Sequence, residues 1–269
     1  MLRQRTITSV ASIPFIILLI WFGDPWFTFL VAAVVLIGSF EFYHMSPTLD
    51  QSRPLMCVGL LWALAVALNP HYEDASVLPA ATTAATVISL VWLLRLVPRE
   101  EAFRAWAWIV AGVLYVGWML SYWLGLLMLT DGRAWVYLAM FTTFAYDTGA
   151  FFAGRAWGKH RLASAISPGK TWEGALGGLL SAVVAALAIS KMPILSWSSR
   201  LDWWQVIILA CLVSLFAQLG DLVESLLKRN AGVEQSGKLL PGHGGILDRF
   251  DSLIFVGVVV YYYATCLAG

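Results

Sequence analysis

Charged side chains are scarce. Asp, Glu, Lys and Arg make up 12% of the 269 residues, against about 25% in an ordinary soluble domain. Water is therefore not the main solvent of this chain. An excess of either charge is missing too, since the formal net charge is +1. No basic field exists to draw in a polyanion, so nucleic acid is set aside as a partner. Cysteine is sparse: Cys57, Cys211 and Cys266 lie far apart in apolar runs, with no C-x-x-C spacing. That argues against a disulfide framework or a zinc site and predicts three small buried hydrophobes. Internal repeats, low-complexity segments and linkers are also missing. A single membrane domain over 1–269 is expected, with N-terminal helices in 1–130 and site-bearing helices in 131–269.

What fills the chain is apolar. Hydrophobic types reach 60%, mean hydropathy is +0.77 and there are 14 Trp, a residue that favours membrane interfaces. Apolar stretches at roughly 6–22, 26–43, 54–69, 77–97, 104–129, 134–153, 173–190, 203–227 and 251–267 approach the ~20 residues a spanning helix needs. Turn-forming breaks separate them, among them Gly23-Asp24-Pro25, Asn69-Pro70 and Asp131-Gly132. The expected fold class is all-α: a polytopic integral membrane protein of about nine transmembrane helices. The first stretch follows Arg3 and Arg5 without a small-x-small cleavage site, so it reads as a retained anchor and not a signal peptide.

The basic residues test that layout. With the N-terminus cytoplasmic, all of the 17 Lys and Arg except Arg133, Lys191 and Arg200 fall on the cytoplasmic side. Such a bias is the positive-inside pattern. It puts the long polar segments 154–172 and 228–250 on that same side.

Some polar residues stand where hydrocarbon is expected. Asp147 interrupts FTTFAYDTGAFFAG, and an ionisable group inside a span is a functional candidate. The next segment, GKHRLASAISPGKTWEG, is basic. In it, Ser167 and Pro168 read as an N-cap and first helical position, with Thr171 able to cap one turn later. A helix start offers amide N–H groups to an anion, and Lys170 adds a charge, so the piece suits a phosphate. The GKT triplet is not a P-loop. That motif needs Gly where Ser164 stands, after a strand that the pattern here lacks.

Further on, QLGDLVESLLKR sets Asp221, Glu224, Ser225 and Lys228 on one helix face. A Glu224–Lys228 pair would neutralise part of this stripe and leave Asp221 unexplained. Then GKLLPGHGGILDRFDSL packs Lys238, His243, Asp248, Arg249 and Asp251 around a glycine-rich turn. Glycines there let backbone approach a ligand closely. Asp248 and Asp251 are three apart, which suits Mg²⁺, an oxygen-seeking cation that bridges substrate phosphates. These are parts for metal-assisted phosphoryl or nucleotidyl transfer.

At these residues the sequence resembles the CDP-diacylglycerol synthases, also called phosphatidate cytidylyltransferases. The resemblance is carried by SLLKR at 225–229, PGHGGILDRFD at 241–251, Gly220-Asp221, YDTGAFFAGRAWGK at 146–159 and SPGKTWEG at 167–174. It implies joining of CTP to phosphatidate with Mg²⁺ and release of pyrophosphate. On that reading Asp221, Asp248, Lys228 and His243 are catalytic, and Asp221, Asp248 and Asp251 hold the metal. Ser167, Lys170, Thr171, Arg229, Lys238, Arg249, Asp147 and Glu224 line the substrate site. A second cation and a homodimer stay open. The resemblance and the short loops imply a bacterial inner membrane, with the site facing the cytoplasm. In one place the pattern is broken: Glu234-Gln235 replaces the family's Lys-Asp. A divergent or inactive member, taking another lipid phosphate or serving as a binding subunit, is the alternative.

Overall fold

The computed structural model describes residues 14–46, 49, 52–96, 99–192, 195, 201–237 and 244–268. Nearly all of them are helical. In order, residues 14–22 form α1, followed by α2 (Trp26–His44), α3 (Arg53–Ala67), α4 (Val77–Leu96) and α5 (Arg99–Gly112). A π-helical segment (Val113–Trp118) joins α5 to α6 (Met119–Leu127). Then come α7 (Gly132–Trp157), β1 (Arg161–Ala163), β2 (Ser167–Thr171), α8 (Trp172–Ser190), α9 (Trp203–Asn230) and α10 (Leu247–Ala268).

Among the described residues, six helices are long and apolar enough to cross a membrane. They are α2, the Val77–Leu94 part of α4, the continuous Glu101–Leu127 rod, α8, α9 and the Leu247–Leu267 part of α10. Helix α3 is apolar but shorter. Helix α7 has the length, with 26 residues, but its Thr, Tyr and Asp residues lower its hydropathy. The expectation of an essentially all-α membrane protein therefore stands, with one addition: β1 and β2 pair as an antiparallel hairpin. The cysteines depart from expectation. Cys57, Cys211 and Cys266 are free and exposed on the outer faces of their helices, because the apolar surface of a membrane helix points outward as well as inward.

The chain divides into two compact units. The first comprises Met1–Leu124 with Ala231–Arg249. Its core is Phe42, Tyr43, Trp62, Ala63, Ile109 and Val116, all buried. The Tyr43 hydroxyl donates to the Ile109 carbonyl at 3.2 Å. Any side chain at Gly112 would strike the Tyr43 ring, so the glycine lets α5 lie against α2. Trp106 on α5 donates to Ser89 on α4 at 3.0 Å, a polar tie on an otherwise lipid-like surface. Two loops meet at one end of α2. There Asp24 accepts from Thr28 (2.5 Å) and contacts His71 Nε2 (3.2 Å), which also lies 3.1 Å from Thr28 Oγ1.

The second unit comprises Gly125–Asn230 with Phe250–Gly269. Helices α7 and α8 are its closest pair, meeting through small residues. Adding a Cβ at Gly177 would collide with Ala153, and at Gly178 with the Tyr146 ring. Close backbone approach of this kind is how helices associate where lipid removes the hydrophobic drive. Gly220 does the same for α9 and α10: a Cβ there would fall 2.5 Å from the Asp251 carbonyl oxygen.

Candidate active site

The second unit gathers acids and lysines from four elements. Lys170, on β2, places Nζ 2.7 Å from Asp221 Oδ2 on α9. The lysine side chain is only 17% exposed, so this pair is better shielded from screening than a surface ion pair. Asp147, on α7, feels Asp221 and Asp251 as repelling charges and Lys170 as an attracting one. Asp251, on α10, lies within electrostatic reach of Asp221, Glu224 and Lys228. One oxygen of Asp251 also accepts from the Ser252 amide at 2.6 Å. Asp147, Asp221 and Asp251 thus lie within electrostatic reach of one another, and Gly220 lets α9 approach α10 closely.

The polar stripe on α9 is real. Lys228 Nζ sits 3.1 Å from Glu224 Oε2, and the Glu224 side chain is fully buried. Ser225 Oγ lies 3.4 Å from Asp221 Oδ1. Arg229 is exposed in the last turn of α9, where a cation complements the helix dipole.

Local structure around SPGKT differs from the expected helix start. Ser167 and Pro168 lie in strand β2, not at an N-cap. Pairing with β1 prevails: Arg161 lies opposite Thr171, and its guanidinium donates to the Pro168 carbonyl at 2.6 Å. The helix begins at Trp172, with Thr171 as its N-cap accepting from the Gly174 amide at 3.1 Å. Lys170 is therefore delivered from an extended strand one residue before the cap. Glu173 anchors the hairpin by accepting from the Lys159 and His160 amides (3.1 and 3.2 Å) and from His160 Nδ1 (2.6 Å).

Asp248 and Arg249 belong to the first unit. Asp248 Oδ2 accepts from the Ser236 amide (3.1 Å) and the Gly245 amide (2.9 Å). The acid thereby closes the turn that precedes its own helix. Gly244 has φ +81°, a left-handed conformation that favours glycine. The Gln235 amide carbon would lie 3.7 Å from a Cβ at Gly244. Arg249 is exposed. Lys238 and His243 lie outside the described residues.

Two features escaped the sequence reading. Tyr146, beside Asp147, donates its hydroxyl to Gln218 Oε1 at 2.7 Å, one turn before Asp221. Glu41, in the last turn of α2, is buried and binds the turn before α10. Its Oε1 accepts from the Ile246 amide (3.0 Å) and its Oε2 from the Leu247 amide (2.9 Å). Ser236 Oγ approaches Oε2 at 3.4 Å. An acid inside an apolar run was the available signal for Glu41.

Among the described residues no group of three or more His, Cys, Asp or Glu is disposed to hold a metal ion. Mg²⁺ does not require such a cage. It is commonly held by one or two carboxylates and completes its shell with water and substrate phosphates. The repelling, all-oxygen pair of Asp221 and Asp251 fits that mode.

Fold and site define a polytopic helical membrane protein whose second unit carries a cluster of acids and lysines. The chain belongs to the cytidylyltransferase family, whose model matches residues 3–267. It is 33% identical to the phosphatidate cytidylyltransferase of Bacillus subtilis (strain 168) over 267 residues, 97% of each chain. It is 31% identical to that of Brucella suis biovar 1 (strain 1330) over 271 residues, 99% of this chain and 94% of the relative. It is likewise 31% identical to that of Staphylococcus haemolyticus (strain JCSC1435) over 259 residues, 95% of this chain and 96% of the relative. The enzyme class is nucleotidyltransferase.

Proposed function

We propose that this chain is a CTP:phosphatidate cytidylyltransferase that works at the cytoplasmic face of a bacterial inner membrane. The observation that carries the reading is the Lys170–Asp221 pair with Asp147 and Asp251 around it. It is supported by curated relatives of that name which align with nearly the whole chain. Nine crossings with a cytoplasmic N-terminus fit the distribution of Lys and Arg.

In the reaction, a phosphate oxygen of phosphatidate attacks the α-phosphorus of CTP. The bond from that phosphorus to the β-phosphate bridging oxygen breaks and pyrophosphate leaves. Mg²⁺, held by Asp221 and Asp251 with Asp248 as a further candidate, would supply charge neutralisation on the triphosphate. Lys170 is a cation of the site that a phosphate would compete for with Asp221. Lys228, fixed by Glu224, supplies a second ammonium, and Arg229 and Arg249 supply guanidinium forks suited to phosphate oxygens. Ser167 and Thr171 shape the strand that carries Lys170. His243 and Lys238 complete the proposed set. Asp147 orders the charges and need not give up a proton, because an attacking phosphate oxygen is already anionic.

The test is direct. Protein purified in detergent is given labelled CTP, phosphatidate and Mg²⁺, and CDP-diacylglycerol is measured. Product is expected, and its absence overturns the reading. The Glu234-Gln235 departure favours a second reading, a chain with little activity that binds a lipid phosphate. On that reading wild type gives no product and the double variant Glu234→Lys, Gln235→Asp does.

A further inference from the structure

We infer that Glu41 is a positioning residue for this reaction, acting from the far end of the sequence on the turn that begins α10. The inference rests on the reaction proposed above for its kinetic consequence, but not for its geometry. The Glu41 carboxylate is buried, and both of its oxygens are used. One accepts from Ile246 and the other from Leu247, two of the four amides at a helix start that the helix itself leaves without a partner. The carboxylate thus caps a helix from which it is separated by some two hundred residues. The charge also suits the helix N-terminus.

The surrounding sequence is cut to fit it. A side chain at Gly237 or Gly245 would run into the Glu41 carboxylate, and one at Gly245 would also strike Ser236 Oγ. Ser236 Oγ reaches Glu41 while the Ser236 amide reaches Asp248. Glu41 and Asp248 therefore grip the same turn, and they share Ser236 and the Gly245–Leu247 backbone between them. Asp248 can present its carboxyl in a defined direction only while that backbone is held. Arg249 follows it on the same turn. A neutral amide at position 41 would aim an N–H at a backbone N–H on one of its two sides, and the clamp would open.

The experiment compares wild type with Glu41→Gln, Glu41→Asp and Gly245→Ala as full-length chains in detergent. Two measurements are made: amide hydrogen exchange over residues 244–249, and kcat and KM for CTP. Glu41→Gln is expected to raise exchange in that peptide at least about tenfold by local opening. It should lower kcat about 100-fold, the scale of an ångström-sized misplacement, and spare exchange elsewhere. Glu41→Asp is expected to recover part of both. Gly245→Ala should reproduce the defect with Glu41 intact, which covers a Glu41→Gln chain that fails to fold. Adding Glu41→Gln to Asp248→Asn should cost no more than Asp248→Asn alone. Unchanged protection in Glu41→Gln, or lost protection with wild-type kcat, overturns the inference. Wild type without any CDP-diacylglycerol synthesis overturns the assigned reaction instead. Exchange then decides the clamp by itself: loss of protection sustains it and retention ends it.

Discussion

Lys170 reaches Asp221 across 2.7 Å, from strand β2 to helix α9, between residues about fifty apart in sequence. Neither residue owns the other by local structure, so the pair reports how β2 docks on α9.

Asp221→Asn is expected to lower kcat by at least about a thousandfold, as loss of a principal electrostatic group does. Lys170→Met should lower it about a hundredfold. The double variant should be far less impaired than the product of the two, because contacting residues do not add. Full additivity in CDP-diacylglycerol assays would show that the pair does not act as a unit.

Glu224 and Lys228 form the pair that stabilises more than it reacts. Removing one partner strands a buried charge, at a cost of about 3–5 kcal/mol. Lys228→Met should therefore lower the unfolding midpoint in detergent strongly. Glu224→Gln combined with Lys228→Met should restore much of it without restoring turnover. If Lys228→Met unfolds at the wild-type midpoint, Glu224 is not held by Lys228.

Thr171 caps α8 through the Gly174 amide. Thr171→Ala should cost about 0.5–2 kcal/mol, while Thr171→Ser should cost little. Because Lys170 is the preceding residue, KM for CTP should rise in the alanine variant and stay near wild type in the serine one. Paired melting curves and kinetics check both halves.

Asp24 provides a pH test away from the reaction. The Thr28 hydroxyl, with a smaller contribution from His71, holds its carboxyl below the usual carboxylate range against slight desolvation. A lowered native value means that the ionised form is favoured by folding. Its contribution is present above the ordinary value of about 3.9 and is lost as pH falls through the depressed one. Wild type should outlast Asp24→Asn at pH 6, and the gap should close below about pH 4. The group is largely exposed, so the gap should be small. A gap that widens in acid would contradict the assignment.

Much of this molecule can be read from hydropathy. Apolar stretches match helices because a helix is the open-chain way to satisfy backbone polar groups in lipid. The stripe of Asp221, Glu224, Ser225 and Lys228 could be placed on one face because helical periodicity is local. What could not be read depends on distant partners. Ser167-Pro168 has the local chemistry of a helix start, but pairing of Arg161 with Thr171 holds it extended. Glu41 resembles a stray acid near a helix end until Ser236, Ile246 and Leu247 come to meet it. Tyr146 and Gln218 look like interior filler until α7 meets α9.

Gly220 offers a practical handle. A bulkier residue there, such as valine, leaves the hydropathy of α9 intact, so membrane insertion should proceed unaltered. It would nevertheless wedge α9 off the Asp251 carbonyl and the Phe255 ring. The outcome would be a correctly inserted but silent protein, a matched blank for reconstitution assays that leaves every charged group in the chain in place.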